Sequence, residues 1–397
     1  MGRVVLPDVV VVGAGMIGAA CAEALAAEGL RVTVLDRGAP ASGTTAAGEG
    51  NILLSDKAPG PELALAQASR RRWPQLLAEL AELLGPSLAE AEWEPKGGLV
   101  VATTGTALAP LAAFAAAQRT AGVLAYALSP AEAAEREPHL TPDVTAAVHY
   151  PEDAQLQPVL AATALLAAVR ARGGRVLAGV TALGVTRDAG GAVDGVRTDR
   201  GPIGCGAVIN ACGPWAGRFA AAAGAGIAVL PRRGVVLVTG PLPPATVRHK
   251  VYDADYVGAV ASGEADLQTS TVVESTRAGT VLIGSSRERV GFDETLRVEV
   301  LRQLACKAVG LFPVLAEVPV MRAYGGFRPY APDHLPVIGE DPRLPGLWHA
   351  TGHEGAGIGL AAATGQLIAD LWTGRTPAVD PGPFRVDRPA VMEEVPA

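Results

Sequence analysis

The most constraining feature of this chain is its opening, where four valines, Val9–Val12, run directly into Gly13-Ala-Gly-Met-Ile-Gly18. A short, wholly β-branched run reads as a strand buried on both faces, the habit of parallel sheets. A helix follows from about Ile17 to Glu28 and stops at Gly29, and Arg31–Leu35 forms a second strand closed by Asp36. Strand, glycine turn, helix and strand together make a βαβ unit in about 28 residues.

Glycine spacing alone says little, because 48 glycines in 397 residues produce three at fixed offsets by chance on the order of once. The setting gives it meaning. Gly13 permits the tight turn, Gly15 lets backbone approach a pyrophosphate, and Gly18 lets the helix pack on the strand. Met16 and Ile17 open a helix whose N-terminal N–H groups and partial positive charge suit phosphate. Asp36, followed by Arg37, lies 23 residues beyond Gly13. Its carboxylate can accept hydrogen bonds from both ribose hydroxyls and would repel a 2′-phosphate.

NAD and FAD both satisfy this fingerprint, and two further segments favour FAD. In the loop Ser42–Asn51, hydroxyls and amides of Ser42, Thr44, Thr45, Gly48, Gly50 and Asn51 can line a pyrophosphate and a flavin edge. The turn Gly352–Gly359 enters a helix and aims N–H groups at one point, where they can stabilise negative charge on a reduced isoalloxazine. Taken singly, these segments also suit an ordinary polar loop and a close helix–sheet contact.

Farther along, helices are expected at about Pro61–Leu84, Leu108–Gly122, Pro130–Arg136, Pro158–Gly173, Phe292–Leu311 and from the last glycine turn to Trp372. Strands are expected at Gly98–Thr103, Ala146–Tyr150, Val176–Val185, Val193–Thr198, Val208–Asn210, Gly234–Thr239, Leu267–Glu274, Thr280–Ser285 and Leu347–Ala350. The βαβ-like material sits at the start, middle and end. The expected fold is therefore α/β, a Rossmann-like FAD-binding domain (1–90, 151–225 and 326–390) with an inserted α+β substrate domain (91–150 and 226–325) containing a mixed or antiparallel sheet, and a tail at 391–397. From Thr376 the proline-rich end reads as a surface strap.

Composition trims the alternatives. With 49% hydrophobic and 18% charged residues, wholesale disorder is excluded. A net charge of −7, with no basic run longer than Arg70–Arg72, argues against a nucleic-acid partner. No uninterrupted apolar stretch of about 18 residues suggests a membrane span. Cys21, Cys205, Cys212 and Cys306 lack CxxC spacing, so neither a zinc ribbon nor a disulfide scaffold is expected, and a reducing cytoplasm fits.

With these residues in hand, the chain resembles the D-amino-acid oxidase/glycine oxidase superfamily of flavoproteins, which includes sarcosine oxidases and D-amino-acid dehydrogenases. The likeness rests on Gly13–Gly18 with Asp36, Ser42-Gly-Thr-Thr45, Asn210-Ala-Cys-Gly-Pro-Trp215, Gly326-Phe-Arg-Pro-Tyr-Ala-Pro-Asp333 with Leu335-Pro-Val-Ile-Gly339, and His353–Gly359. It implies a GR2-type FAD domain with FAD in extended form. Val180 would meet the adenine through its backbone; Ala211, Cys212, Gly213 and Trp215 would lie beside the pyrophosphate and flavin; Gly355, Ala356, Gly357, Ile358, Gly359 and Leu360 would underlie the isoalloxazine. Sarcosine oxidases attach flavin through a cysteine at the position of Gly326, so the resemblance implies non-covalent FAD here. Their oxygen-activating lysine aligns with Leu282, which leaves oxidase and dehydrogenase both open.

Arg328, set between Phe327 and Pro329, needs a partner in such apolar surroundings. Its planar fork suits a substrate carboxylate, the role the resemblance implies, or a structural pair with an acid such as Asp333. Tyr252 and Tyr256 are candidates to touch the same carboxylate, or are core tyrosines; His353 is a candidate at the flavin turn, or is structural; Glu49 and Asn51 can reach the substrate side. The expected reaction is oxidation of an amino-acid C–N bond, hydride passing from Cα to flavin N5 and the imine hydrolysing. Glycine or an N-substituted (N-carboxymethyl) glycine is the leading substrate, with O2 or another electron acceptor taking the electrons. Alternatives are a D-amino-acid or D-hydroxyproline dehydrogenase, and an FAD-binding subunit of a heteromeric amine dehydrogenase. A homo-oligomer is compatible with each.

Overall fold

The computed structural model describes residues 6–260 and 262–392. Val9–Val12 pairs in parallel with Val32–Asp36 on one side and Ala207–Asn210 on the other. Arg175–Ala178 extends the sheet past Val32–Asp36, and Leu347–Thr351 extends it past Ala207–Asn210. Antiparallel Val337–Glu340 closes this six-stranded sheet at one edge. All four central valines are buried, as a strand covered on both faces requires. The helix Met16–Ala27 packs against Gly357–Thr373 through small residues: a Cβ on Gly365 would lie 2.5 Å from the Ala20 carbonyl oxygen. Larger side chains at this crossing would push the helices apart.

An eight-stranded sheet runs in the order Val320–Tyr330, Leu230–Thr239, Val281–Arg287, Gln268–Ser275, Lys250–Asp253, Gly98–Ala102, Ala146–Tyr150, Tyr126–Leu128. Lys250–Asp253 and Gly98–Ala102 are parallel, and the other neighbours are antiparallel. Period-two alternation divides its faces. Leu99, Val101, Val235, Leu237, Val273 and Ile283 pack with Val300, Leu304, Ala308 and Leu311 of the helix Val298–Leu311. Val100, Tyr252 and Val272 face the other way, into the large core shared with the βαβ unit.

Three expectations need correction. Val176–Val185 is not one strand. It breaks at Gly179, with φ of +65°, and Ala182–Arg187 joins a separate three-stranded sheet with Val193–Thr198 and Ile203–Gly204. The helix expected over Phe292–Leu311 begins only at Val298. Asp293 Oδ1 accepts the Thr295 N–H at 2.9 Å, and Arg233 holds the Asp293 and Thr295 carbonyls at 2.9 and 2.8 Å, so this stretch is a pinned loop. Val320–Tyr330 is an 11-residue strand where none was expected. It carries residues 326–330 in the eight-stranded sheet, although the sequence partition placed them in the FAD lobe.

The proline-rich stretch from Thr376 is strapped down over its described residues. Phe384, Val386 and Val391 are buried, and the Val391 carbonyl accepts the Ala228 N–H at 2.7 Å. Of the tail 391–397, residues 393–397 lie outside the described residues. Among the described residues, no helix is long and apolar enough to cross a membrane.

Candidate active site

A cavity of about 620 Å³ opens where the six-stranded sheet meets the eight-stranded one. Its first end is built by the fingerprint. Gly13 has a φ of +109°, and a Cβ there would lie 2.3 Å from the Ala211 carbonyl oxygen; a Cβ on Gly18 would lie 1.9 Å from the Gly13 carbonyl oxygen. Those two glycines let the turn pack on the protein itself, and Gly18 stays off the cavity wall. Gly15 opens to the cavity, its imagined Cβ meeting only Thr45 Oγ1 at 3.2 Å. Met16 and Ile17 line the same wall. Asp36 is held by two backbone N–H groups, Ala14 on Oδ2 and Gly38 on Oδ1, both at 2.8 Å. Carboxylate oxygens fixed this way keep lone pairs for ligand hydroxyls.

The Ser42–Asn51 loop lines the cavity through Ser42, Thr44, Thr45, Gly48, Glu49 and Asn51, but its hydroxyls are committed to the protein. Ser42 donates to the Ala39 carbonyl at 2.7 Å, and Thr44 donates to the Phe327 carbonyl at 2.7 Å. Thr45 Oγ1 accepts the Met16 N–H at 2.9 Å and so caps the fingerprint helix. Gly50 faces away, a Cβ there falling 1.9 Å from the Leu156 carbonyl oxygen. Val180 lines the cavity, yet its N–H is spent on the Asp36 carbonyl at 2.9 Å, leaving its carbonyl for a ligand. Ala211, Cys212, Gly213 and Trp215 are also on the wall. The Arg37 guanidinium stands 4.1 Å over the Trp215 ring, and Phe292 beside the pinned loop stacks with the same indole, ring centroids 5.1 Å apart. Burial pushes the Cys212 thiol up to about 12, so it stays protonated.

The second end lies against the eight-stranded sheet. Arg328 lines the cavity, and its one described hydrogen bond goes to the Ser286 carbonyl at 2.9 Å. Asp333 is not its partner, because Arg388 takes both Asp333 oxygens at 2.8 and 3.2 Å. Desolvation, with the nearby charge of Arg287, lowers Arg328 to about 10, still cationic at neutral pH. Tyr256 lines the wall beside it. Glu49 reaches in from the loop with Oε1 buried and unpartnered, while Oε2 accepts from Asn51 at 3.0 Å and lies 3.7 Å from Lys250 Nζ. His353 lines the cavity with Nε2 on Thr364 Oγ1 at 3.0 Å and Nδ1 unpartnered. Burial lowers its pKa to about 3, so the ring is neutral. Gly355, Gly357 and Ile358 complete this floor.

Tyr252 is absent from this wall, which corrects its candidacy. It is fully buried in the core, donating to Ser55 Oγ at 2.7 Å, and its ring is 4.8 Å from that of Tyr256. Ala356, Gly359 and Leu360 also turn away, toward a small void behind the loop, with Gly359 packed on the Asn51 carbonyl. The sequence reading missed Glu354, which lines the cavity, and three buried cations off its wall, Arg232, Arg287 and Lys250. Arg232 and Arg287 are 1% and 5% exposed, and Arg232 pairs with Glu354 at 3.1 Å. Their signal was cations embedded in strand-like stretches, where burial demands a partner.

The long cavity fits FAD at points the structure itself marks. A glycine turn opens to it, a fixed acid stands after the second strand, and Asn51 Oδ1 and His353 Nδ1 are buried polar atoms in its wall awaiting partners. Fold and site therefore define a dinucleotide-binding oxidoreductase with a second, charged subsite. The sequence profile of the FAD dependent oxidoreductase family (DAO) matches residues 8–371, and the chain belongs to that family. It is an FAD-dependent enzyme.

The chain is 30% identical over 385 residues to a glycine oxidase of Geobacillus kaustophilus (strain HTA426), covering 96% of this chain and 97% of that protein. It is 33% identical over 386 residues to a glycine oxidase of Pseudomonas aeruginosa, covering 95% and 97%. The crystal structure of the Geobacillus kaustophilus glycine oxidase superposes with a TM-score of 0.86 at 28% identity, covering 96% of this chain and 98% of that one.

Proposed function

We propose that this enzyme oxidises the C–N bond of a small amino acid, glycine or an N-substituted glycine, using non-covalently bound FAD. The observation that carries this reading is Arg328, a guanidinium in the cavity wall whose sequence-neighbour acid is already taken. The likeness to glycine oxidases over nearly the whole chain supports it. Gly326 offers no thiol, and Cys212 lies near Asp36 and Arg37, away from Arg328, which supports non-covalent attachment.

When bound, FAD supplies the acceptor for two electrons. Arg328 clamps the substrate carboxylate through two parallel N–H bonds and so fixes the direction of Cα. Glu49 Oε1, unpartnered nearby, receives an N–H of the amine and holds the nitrogen in register. Orientation of this kind supplies several kcal/mol of the barrier. His353, neutral and tied to Thr364, shapes the wall and does not move a proton. The Cα–H bond breaks with its electron pair, the nitrogen lone pair forms the C=N bond, and water then cleaves the imine to a carbonyl and ammonia, or to a carbonyl and an amine where the nitrogen is substituted. The two-lobe partition belongs to the same proposal, with 326–330 moved to the substrate lobe.

Anaerobic titration of the purified holoenzyme tests this. Glycine, N-methylglycine or D-proline should bleach the flavin band, and readmitted air separates an oxidase from a dehydrogenase. A band that no amino acid bleaches would reject the reading.

A further inference from the structure

Two guanidinium groups, Arg328 in the cavity wall and Arg287 behind the Tyr256 ring, have no carboxylate hydrogen-bonded or ion-paired to them among the described residues. Arg328 holds only the Ser286 carbonyl, at 2.9 Å. Arg287, 5% exposed, reaches only neutral hydroxyls, Ser285 Oγ at 3.2 Å and Ser270 Oγ at 3.5 Å. The carbonyl that Arg328 holds belongs to the peptide joining Ser286 to Arg287, and the two cations are close enough that the charge of Arg287 acts on Arg328. Tyr256 links them to the cavity: it lines the wall, and the Arg287 guanidinium lies 4.7 Å over its ring.

The other buried arginines of this sheet are treated differently. Arg232 pairs with Glu354, and Arg233 pairs with Glu288 and holds two further carbonyls. Of the acids around the pair, Glu354 serves Arg232 and His334, and Asp255 lies 3.4 Å from Lys307; Glu49 is near enough to act on Arg328, but its Oε2 accepts from Asn51 and its free Oε1 is the atom assigned above to the amine. Two cations withdrawn from water, and from acids, cost several kcal/mol each unless an anion joins them. A mono-anionic amino acid would satisfy only one.

We propose that the substrate carries two carboxylates, one held by Arg328 and the second by Arg287 with the Ser285 and Ser270 hydroxyls, beside Tyr256. This rests on the amine-oxidising reading above and narrows it to dicarboxylic amines. A secondary amine with an acid on each arm has the right charge and places its reacting Cα next to the Arg328-bound carboxylate.

Two ethers that lack an oxidisable amine separate binding from turnover. Diglycolate has a carboxylate at each end, and methoxyacetate has one. Titrating each into the FAD-loaded enzyme, with the visible flavin spectrum as readout, should show diglycolate binding about 10- to 100-fold tighter. Arg287→Met should abolish most of that preference, weakening diglycolate far more than methoxyacetate, and Arg287→Lys should keep part of it. Equal affinities in the wild type, or an Arg287→Met variant weakening both ethers alike, would overturn the second subsite. If Arg287→Met fails to fold, the wild-type ratio and the lysine variant decide. The parent reading fails by a different sign: tight diglycolate binding with no amine able to bleach the flavin would keep the dianion site and sink amine oxidation.

Discussion

The two ends of the cavity are built by opposite means. At the dinucleotide end the protein presents backbone: a glycine turn, a helix N-terminus and one carboxylate locked by two amides. At the substrate end it presents long charged side chains carried on strands, with Arg328, Glu49 and Tyr256 coming from three distant segments. The first end binds a ligand through shape that few substitutions tolerate. The second binds through charge, so it can change its ligand by changing one side chain.

Gly15→Val should separate the two ends most sharply. Valine would project into the wall beside Thr45, so FAD affinity should fall by at least ~100-fold, about 3 kcal/mol, while the fold persists. Flavin content and circular dichroism of the purified variant read both quantities. A folded, fully yellow variant would break the assignment of this end.

Arg328→Met is the matching change at the other end. Losing a charged, bidentate contact should cost roughly 3–5 kcal/mol in kcat/KM for carboxylate substrates, with FAD still bound. Unchanged kinetics would remove Arg328 from the substrate subsite.

A smaller effect concerns His353, which burial holds near a pKa of about 3 against an ordinary value near 6.5. The unfolded chain takes up a proton that the folded chain refuses, so this group destabilises the fold as pH falls from about 6.5 toward 3. Each pKa unit is worth about 1.4 kcal/mol. Asp153, raised to about 6 by burial, works the other way, favouring the fold as pH falls below its own pKa. The difference in Tm between wild type and His353→Gln, followed across that range, isolates the histidine. It should shift toward the variant on acidification, and a pH-independent difference would contradict a neutral buried ring.

Tyr252→Phe should be nearly silent in kinetics, because its hydroxyl donates to Ser55 in the core and away from the cavity. A stability loss of about 1 kcal/mol is expected from the lost hydrogen bond, measured by denaturant unfolding. A large fall in kcat/KM would return Tyr252 to the site.

The contrast between the ends also explains what could be read from the sequence. Gly13, Gly15, Gly18 and Asp36 act within one local βαβ unit, so their spacing is their structure. Arg328 was legible as a buried cation needing a partner, but which partner depended on Arg388 taking Asp333 across 55 residues. Arg287 carried only the general signal of a cation in a strand-like stretch, and its place beside the Tyr256 ring is set by residues 31 positions apart in the chain. Tyr252 and Tyr256 looked equivalent, and the end of a strand separated them: Tyr252, in Lys250–Asp253, is pinned in the core by Ser55, while Tyr256 lies in the short helix Asp255–Val260 and lines the cavity. The strand Val320–Tyr330 was obscured by Gly325, Gly326 and Pro329, whose place in a ladder depends on its partner Leu230–Thr239.

The most direct test of the account is the rate of anaerobic flavin bleaching by an amino-acid substrate and by the same substrate deuterated at Cα. With Arg328 aiming Cα, the deuterated substrate should bleach the band several-fold more slowly in the wild type, and neither should bleach it in a fully flavinated Arg328→Met variant at the same concentration. Equal bleaching of the two enzymes, or none in the wild type by any carboxylate-bearing amine, would contradict it.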